Sequence, residues 1–227
     1  MLLTASYIQA FDFAVEILRK GRIKFFPVNP IILANNLHIP VITYKEFAKK
    51  NETSVSEYLK VSTDGFCIYL GDQPAVLYNS EVESKGRRRW TLIHEISHIM
   101  LHHIDEKHPT LKKHRADKRR WLESEADELT LCLIAPLPIA HMCGVESRQE
   151  IRRLFGLSKE ASENIYADFE KALKGRKLTY LKFNDFVSEY TPFISEWIWR
   201  KREYRNRTPG LIYRHGVPNL DIYADDT

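Results

Sequence analysis

Cysteine is scarce in this chain of 227 residues: only three occur, Cys67, Cys132 and Cys143, and no two of them form a CxxC pair. An odd, unpaired set supports neither a disulfide framework nor a cysteine zinc knuckle. Long apolar runs are lacking too. No stretch approaches the roughly 18 uninterrupted apolar residues of a membrane span, and the first 20 residues already include Asp12, Glu16, Arg19 and Lys20. Neither a signal peptide nor a membrane anchor is therefore expected, and the reading is a reducing, cytoplasmic location with no membrane partner. There is no internal repeat or low-complexity tract, and no strong excess of one charge: 34 Lys and Arg stand against 30 Asp and Glu, a net +4. What remains is an ordinary globular composition, 44% hydrophobic and 11% aromatic, which excludes disorder as the main state.

Local patterns predict a mostly helical α+β protein. Ile8, Phe11, Ala14, Val15 and Leu18 recur at helical spacing before a stop at Gly21. Asn29-Pro30 has the form of an N-cap followed by proline, opening a short helix to Leu37. A β-prone stretch follows over Ile39 to Tyr44, then a helical region over Lys45 to Leu59. Phe66 to Leu70 and Ala75 to Tyr78, separated by Gly71-Asp72-Gln73-Pro74, predict a small antiparallel hairpin. Helical periodicity returns over Gly86 to His103 and Arg120 to Ile134, with a basic loop between. Two more helices are expected over Gln149 to Phe155, with Ser147 and Glu150 as a capping box, and over Lys159 to Leu173, with Ser158 as N-cap. Phe183 to Arg205 predicts one or two further helices, and the last 17 residues an irregular tail. The expected division is a first domain over residues 1–174 and a helical C-terminal extension over 175–227.

The chemistry lies in His94-Glu95-Ile96-Ser97-His98, an HExxH sequence. Four residues apart on a helix, two imidazoles leave from one face and can reach one zinc ion, with the glutamate placed to touch a metal-bound water. Leu92, Ile96 and Ile99, flanked by Ile93 and Met100, fall opposite the histidines and give the helix an apolar back. Zinc needs a third protein ligand and an open position. The helix near Arg120 offers Glu123 and Glu125, which lie about 200° apart on the helical wheel and so cannot serve one site. Glu123, Asp127 and Thr130 share a face beside Leu122, Ala126, Leu129 and Leu133, whereas Ser124, Glu125 and Glu128 form a face suited to solvent. Glu123 is accordingly expected as third ligand, and Asp127 as an acceptor for the N–H of a ligand histidine. His102 lies about 12 Å of helix rise from His94, too far for the same ion, and His103 is expected on the helix back.

Arg88-Arg89-Trp90-Thr91-Leu92-Ile93-His94-Glu95-Ile96-Ser97-His98 with Leu101-His102, then Glu123-Ser124-Glu125-Ala126-Asp127 and Leu133-Ile134-Ala135-Pro136, resembles the ImmA/IrrE-type zinc metallopeptidases. The resemblance covers roughly Val28 to Ala172 and implies a zincin-like domain with one zinc ion, ligands His94, His98 and Glu123, and Glu95 as general base. It also implies an endopeptidase acting on a DNA-binding transcriptional repressor or another regulatory protein of a bacterium, phage or mobile element. Against the family pattern, Asp127 replaces the usual Asn, Leu129 the usual Phe, Thr130-Leu131 two small residues and Ala135 the usual Met. The rival reading is a catalytically silent zinc module that binds a repressor or nucleic acid without cutting.

Direct nucleic-acid binding ranks last. Lys107 to Arg120 holds seven basic residues and one acid, and Arg200 to Arg207 five and one, but such runs are more often solvated faces. Glu150 to Phe169 has a helix-turn-helix rhythm with Gly156 in the turn, yet its second helix sets Lys159 and Lys171 against Glu160, Glu163, Asp168 and Glu170. A helix meant to face phosphates should not be acidic, so a structural helical hairpin is expected.

Overall fold

A computed structural model describes residues 5–175 and 183–207. These form two compact units, one of Ala5–Ile23 with Val28–Ile134, the other of Lys24–Pro27 with residues 135–175 and 183–207. The expected irregular tail lies outside the described residues.

In the unit that carries the HExxH segment, α1 (Ala5–Lys20) packs on α6 (Ala116–Ile134), and α6 packs on α5 (Lys85–Met100). Phe11, Ile17, Leu18, Ile93, Ile96, Leu129 and Leu133 are fully buried in its core. Gly21 ends α1 by close approach: a Cβ there would meet Leu33 Cδ1 at 2.3 Å, while Arg22 takes the left-handed conformation at φ 52°. The Asn29 carboxamide caps α2 (Pro30–Asn36), accepting from the N–H groups of Ile31 and Ile32. The expected helix over Lys45 to Leu59 is two pieces, α3 (Tyr44–Lys50) and α4 (Val55–Leu59). Thr43 and Glu46 form a complete capping box at the start of α3, and Glu52 at φ 53° separates the two pieces.

The hairpin is present as β2 (Gly65–Leu70) and β3 (Gln73–Tyr78), antiparallel with Cys67 opposite Val76. The β-prone stretch before it supplies β1 (Val41–Thr43), which pairs parallel to β3, so the sheet is mixed with order β1-β3-β2. β2 is thus an edge. Its outward N–H groups are used elsewhere: Cys67 donates to the Glu95 carboxylate at 2.8 Å and Tyr69 to the carbonyl of Pro109 at 2.9 Å. Gly65 lets β2 lie this close to α5, since a Cβ there would meet Thr91 Cγ2 at 2.8 Å and the Leu77 carbonyl at 3.1 Å.

In the other unit, α7 (Leu137–Met142), α8 (Arg148–Phe155), α9 (Lys159–Lys174), α10 (Asn184–Ser188) and α11 (Thr191–Arg207) follow one another. Phe155 and Phe169 are fully buried, and Phe26 meets Phe155 edge to face with centroids 5.6 Å apart. α8 and α9 make the expected hairpin, with Gly156 left-handed at φ 61° as the cap of α8. Its capping box is only half formed. Ser147 accepts from Glu150 N–H, but the Glu150 carboxylate accepts from the N–H of Glu146 and pairs with Lys201. Lys201, one of the basic residues of the 200–207 run, is therefore buried rather than presented to a partner. Among the described residues no helix is long and apolar enough to cross a membrane.

Candidate metal centre

Two helices build the site. The apolar back of α5 is buried as the periodicity predicts: Leu92, Ile93, Ile96 and Ile99 are all in the core. The side toward α6 is buried as well, where Ser97 and Thr130 hydroxyls lie 3.0 Å apart and Ser97 also donates to the Ile93 carbonyl. This packing sets the rotation of both helices and brings Glu123 of α6 opposite His94 and His98 of α5.

Three polar atoms converge there. His94 Nε2 and His98 Nε2 are 3.0 Å apart, and Glu123 Oε2 is 3.2 Å from the first and 3.3 Å from the second. A tetrahedral zinc with bonds of 2.0–2.2 Å has ligand atoms about 3.3 Å apart along each edge. The triangle therefore fits three corners of such a tetrahedron. The fit is chemical as well as metric, because two imidazole nitrogens and a carboxylate oxygen are a zinc donor set. His98 is completely buried, while the Glu123 side chain is 43% exposed, so the site opens to solvent on the glutamate side. Among the described residues, this is the one group of three or more His, Cys, Asp or Glu side chains placed to hold an ion.

The charges respond to this crowding. Burial works against the charged form of His94, but the carboxylates of Asp127, Glu123 and Glu95 together outweigh it and raise its pKa to about 10. Hydrogen bonds from His94 and His98 hold the Glu123 carboxyl far below the usual carboxylate range.

Glu95 stays out of the ligand triangle. It is buried at 7% exposure, and its Oε2 is tied to the Cys67 N–H of β2. Burial, then the neighbouring Glu95 charge, pushes the Cys67 thiol pKa well up, so that cysteine is inert. Asp127 lies one turn from Glu123, with Oδ1 3.1 Å from His94 Nδ1. The contact is short but poorly aligned, and His94 Nδ1 makes no well-formed hydrogen bond.

His103 departs from its expected place. α5 stops at Met100, Leu101 caps it, and His102 turns left-handed at φ 55°, which folds the chain back so that His103 N–H donates to the His98 carbonyl. The His103 ring then lies inside, its Nδ1 2.8 Å from His98 Nδ1 and its Nε2 3.3 Å from Glu125 Oε2. Burial, followed by the nearby His98 and His114, pushes its pKa down to about 4. No glycine or proline marks this helix stop, so the sequence offered little signal for it. Glu125, expected to face solvent, is also engaged.

The helix pair, the mixed sheet and the His–His–Glu triangle define a metallopeptidase-like centre. Residues 35–164, more than half of the chain, match the Peptidase_M78 family, described as the IrrE N-terminal-like domain, and the chain belongs to that family. No curated protein and no solved structure is significantly similar to it.

Proposed function

We propose that this protein is a zinc-dependent endopeptidase that cuts a regulatory protein, a DNA-binding transcriptional repressor of a bacterium, phage or mobile element. The observation that carries the peptidase reading is the convergence of His94, His98 and Glu123 beside a buried glutamate that is not a ligand, in a chain of a peptidase family. The repressor as substrate rests on the resemblance of the HExxH and Glu123 segments to the ImmA/IrrE type.

His94, His98 and Glu123 would hold the ion. Bound there, zinc supplies a Lewis acid that acidifies water to a pKa of about 7 and polarises a carbonyl. Glu95 is the proton carrier. The Cys67 N–H fixes its Oε2, which leaves Oε1 to take a proton from the attacking water and pass it to the departing amine. Asp127 steadies His94 from the outer side. The partly exposed Glu123 marks the side from which a peptide enters.

Glu95→Gln keeps the shape of the side chain and removes its basicity. The expected result is unchanged zinc content with cleavage of the repressor slowed by about 100- to 10,000-fold, read by gel assay of the purified pair. Full-rate cleavage by that variant would sink the mechanism. The edge of β2 favours one rival: Pro109 occupies the Tyr69 N–H, where an extended peptide would pair. A zinc module that binds without cutting predicts a repressor complex that survives intact with wild type and Glu95→Gln alike.

A further inference from the structure

The His103 ring and the Glu125 carboxylate form a line leading to one metal ligand. At the outer end Glu125 Oε2 lies 3.3 Å from His103 Nε2, an ion-pair distance without a well-formed hydrogen bond; an ionised carboxylate has no proton to give, so its charge favours the proton of neutral His103 on that nitrogen. With Nε2 protonated, neutral His103 has its lone pair on Nδ1. That atom is 2.8 Å from His98 Nδ1, a hydrogen-bond distance that requires one nitrogen to donate and the other to accept. His98 Nδ1 must then carry the proton, and its lone pair sits on Nε2, the atom that faces His94 and Glu123.

We propose that His103 and Glu125 are positioning residues that fix the tautomer and ring orientation of His98, so that its Nε2 lone pair is aimed at the metal position. The inference rests on the reading of His94, His98 and Glu123 as a metal site and adds a second supporting arm to it. The two arms differ in kind. His94 meets the half-exposed Asp127 directly, in a poorly aligned contact. His98 has no exposure and meets its carboxylate through an intervening imidazole with 4% side-chain exposure. A buried ligand cannot borrow water to satisfy its outer N–H, so it needs a protein acceptor, and the left-handed turn at His102 delivers one. His103 is itself held by the donation of its N–H to the His98 carbonyl, and its own carbonyl faces His114 Nε2 at 2.8 Å.

The test is zinc affinity of the full chain, by competition with a chromophoric chelator, for wild type, His103→Ala, His103→Gln and Glu125→Ala. His103→Ala should weaken zinc about 10- to 100-fold. His103→Gln, whose amide oxygen can still accept from His98 Nδ1–H, should recover most of that loss, and Glu125→Ala should lose a smaller factor than His103→Ala. In zinc-loaded wild type with ¹⁵N-labelled histidine, a through-hydrogen-bond coupling should join His98 Nδ1 to His103 Nδ1. Absence of that coupling, or equal zinc affinity in wild type and His103→Ala, overturns the inference while leaving the metal site standing. Failure of wild type itself to bind zinc overturns the metal reading and the inference together. If His103→Ala does not fold, the coupling in wild type and the Gln and Glu125 variants decide.

Discussion

Two clusters of charged side chains in this protein are built on opposite plans. At Glu150 a cation of the chain's own meets the carboxylate: Lys201 Nζ donates to Glu150 Oε2 at 2.8 Å and to the Gly144 carbonyl, and Glu146 N–H donates to the same carboxylate oxygen, while the buried Oε1 takes no hydrogen bond among the described residues. At His94, His98 and Glu123 the polar atoms turn toward one point and crowd each other, raising His94 and lowering Glu123. The first cluster has a cation of its own. The second has two imidazole nitrogens and a carboxylate oxygen aimed at the position a cation would take. Burial of charge alone therefore does not mark function; the direction in which the lone pairs point does.

The largest effect is expected at the closed cluster. Lys201→Ala leaves Glu150, itself 1% exposed, without its cation, and should cost about 3–5 kcal/mol in urea unfolding. Joint replacement by Lys201→Met and Glu150→Leu should restore most of that stability, because a buried pair contributes little over well-packed apolar residues. At the open cluster the effects should fall on metal rather than on fold. Asp127→Ala, which removes the outer contact of His94, should weaken zinc by about tenfold in a chelator competition. A loss of stability in the metal-free protein, with zinc affinity unchanged, would place Asp127 with the structural pairs.

Acid–base behaviour sharpens the same contrast by a smaller amount. His94 is raised from 6.5 to about 10, so the metal-free protein holds it charged at pH 7. That charge contributes stability fully below pH 6.5 and loses it as pH rises through about 10. Zinc held by His94 would have to displace this proton. Its binding at pH 7 should release protons, visible as a calorimetric heat that varies with the ionisation enthalpy of the buffer, and its affinity should rise by up to about tenfold per pH unit below 10.

Much of this was legible in the sequence, and the parts that were not have physical reasons. The spacing of His94 and His98 and the wheel argument for Glu123 over Glu125 as ligand match what α5 and α6 bring together, because both rest on helix periodicity alone. The parallel pairing of β1 was hidden, since a three-residue strand carries no alternation that identifies its partner. The end of α5 was hidden as well: histidine tolerates the left-handed conformation without announcing it as glycine does. That turn moves His103 from the helix back to His98 and draws in Glu125. Lys201 was read as part of a basic run because charge patterning along a helix does not reveal which single lysine meets a buried acid.

The central claim is that the open cluster, and not the closed one, holds the metal. Elemental mass spectrometry of protein purified without added metal tests it directly, on wild type, Glu123→Ala and the Lys201→Met, Glu150→Leu double variant. About one zinc per chain is expected in wild type and in the double variant, and almost none in Glu123→Ala. Zinc retained in full by Glu123→Ala, or absent from wild type, would contradict it.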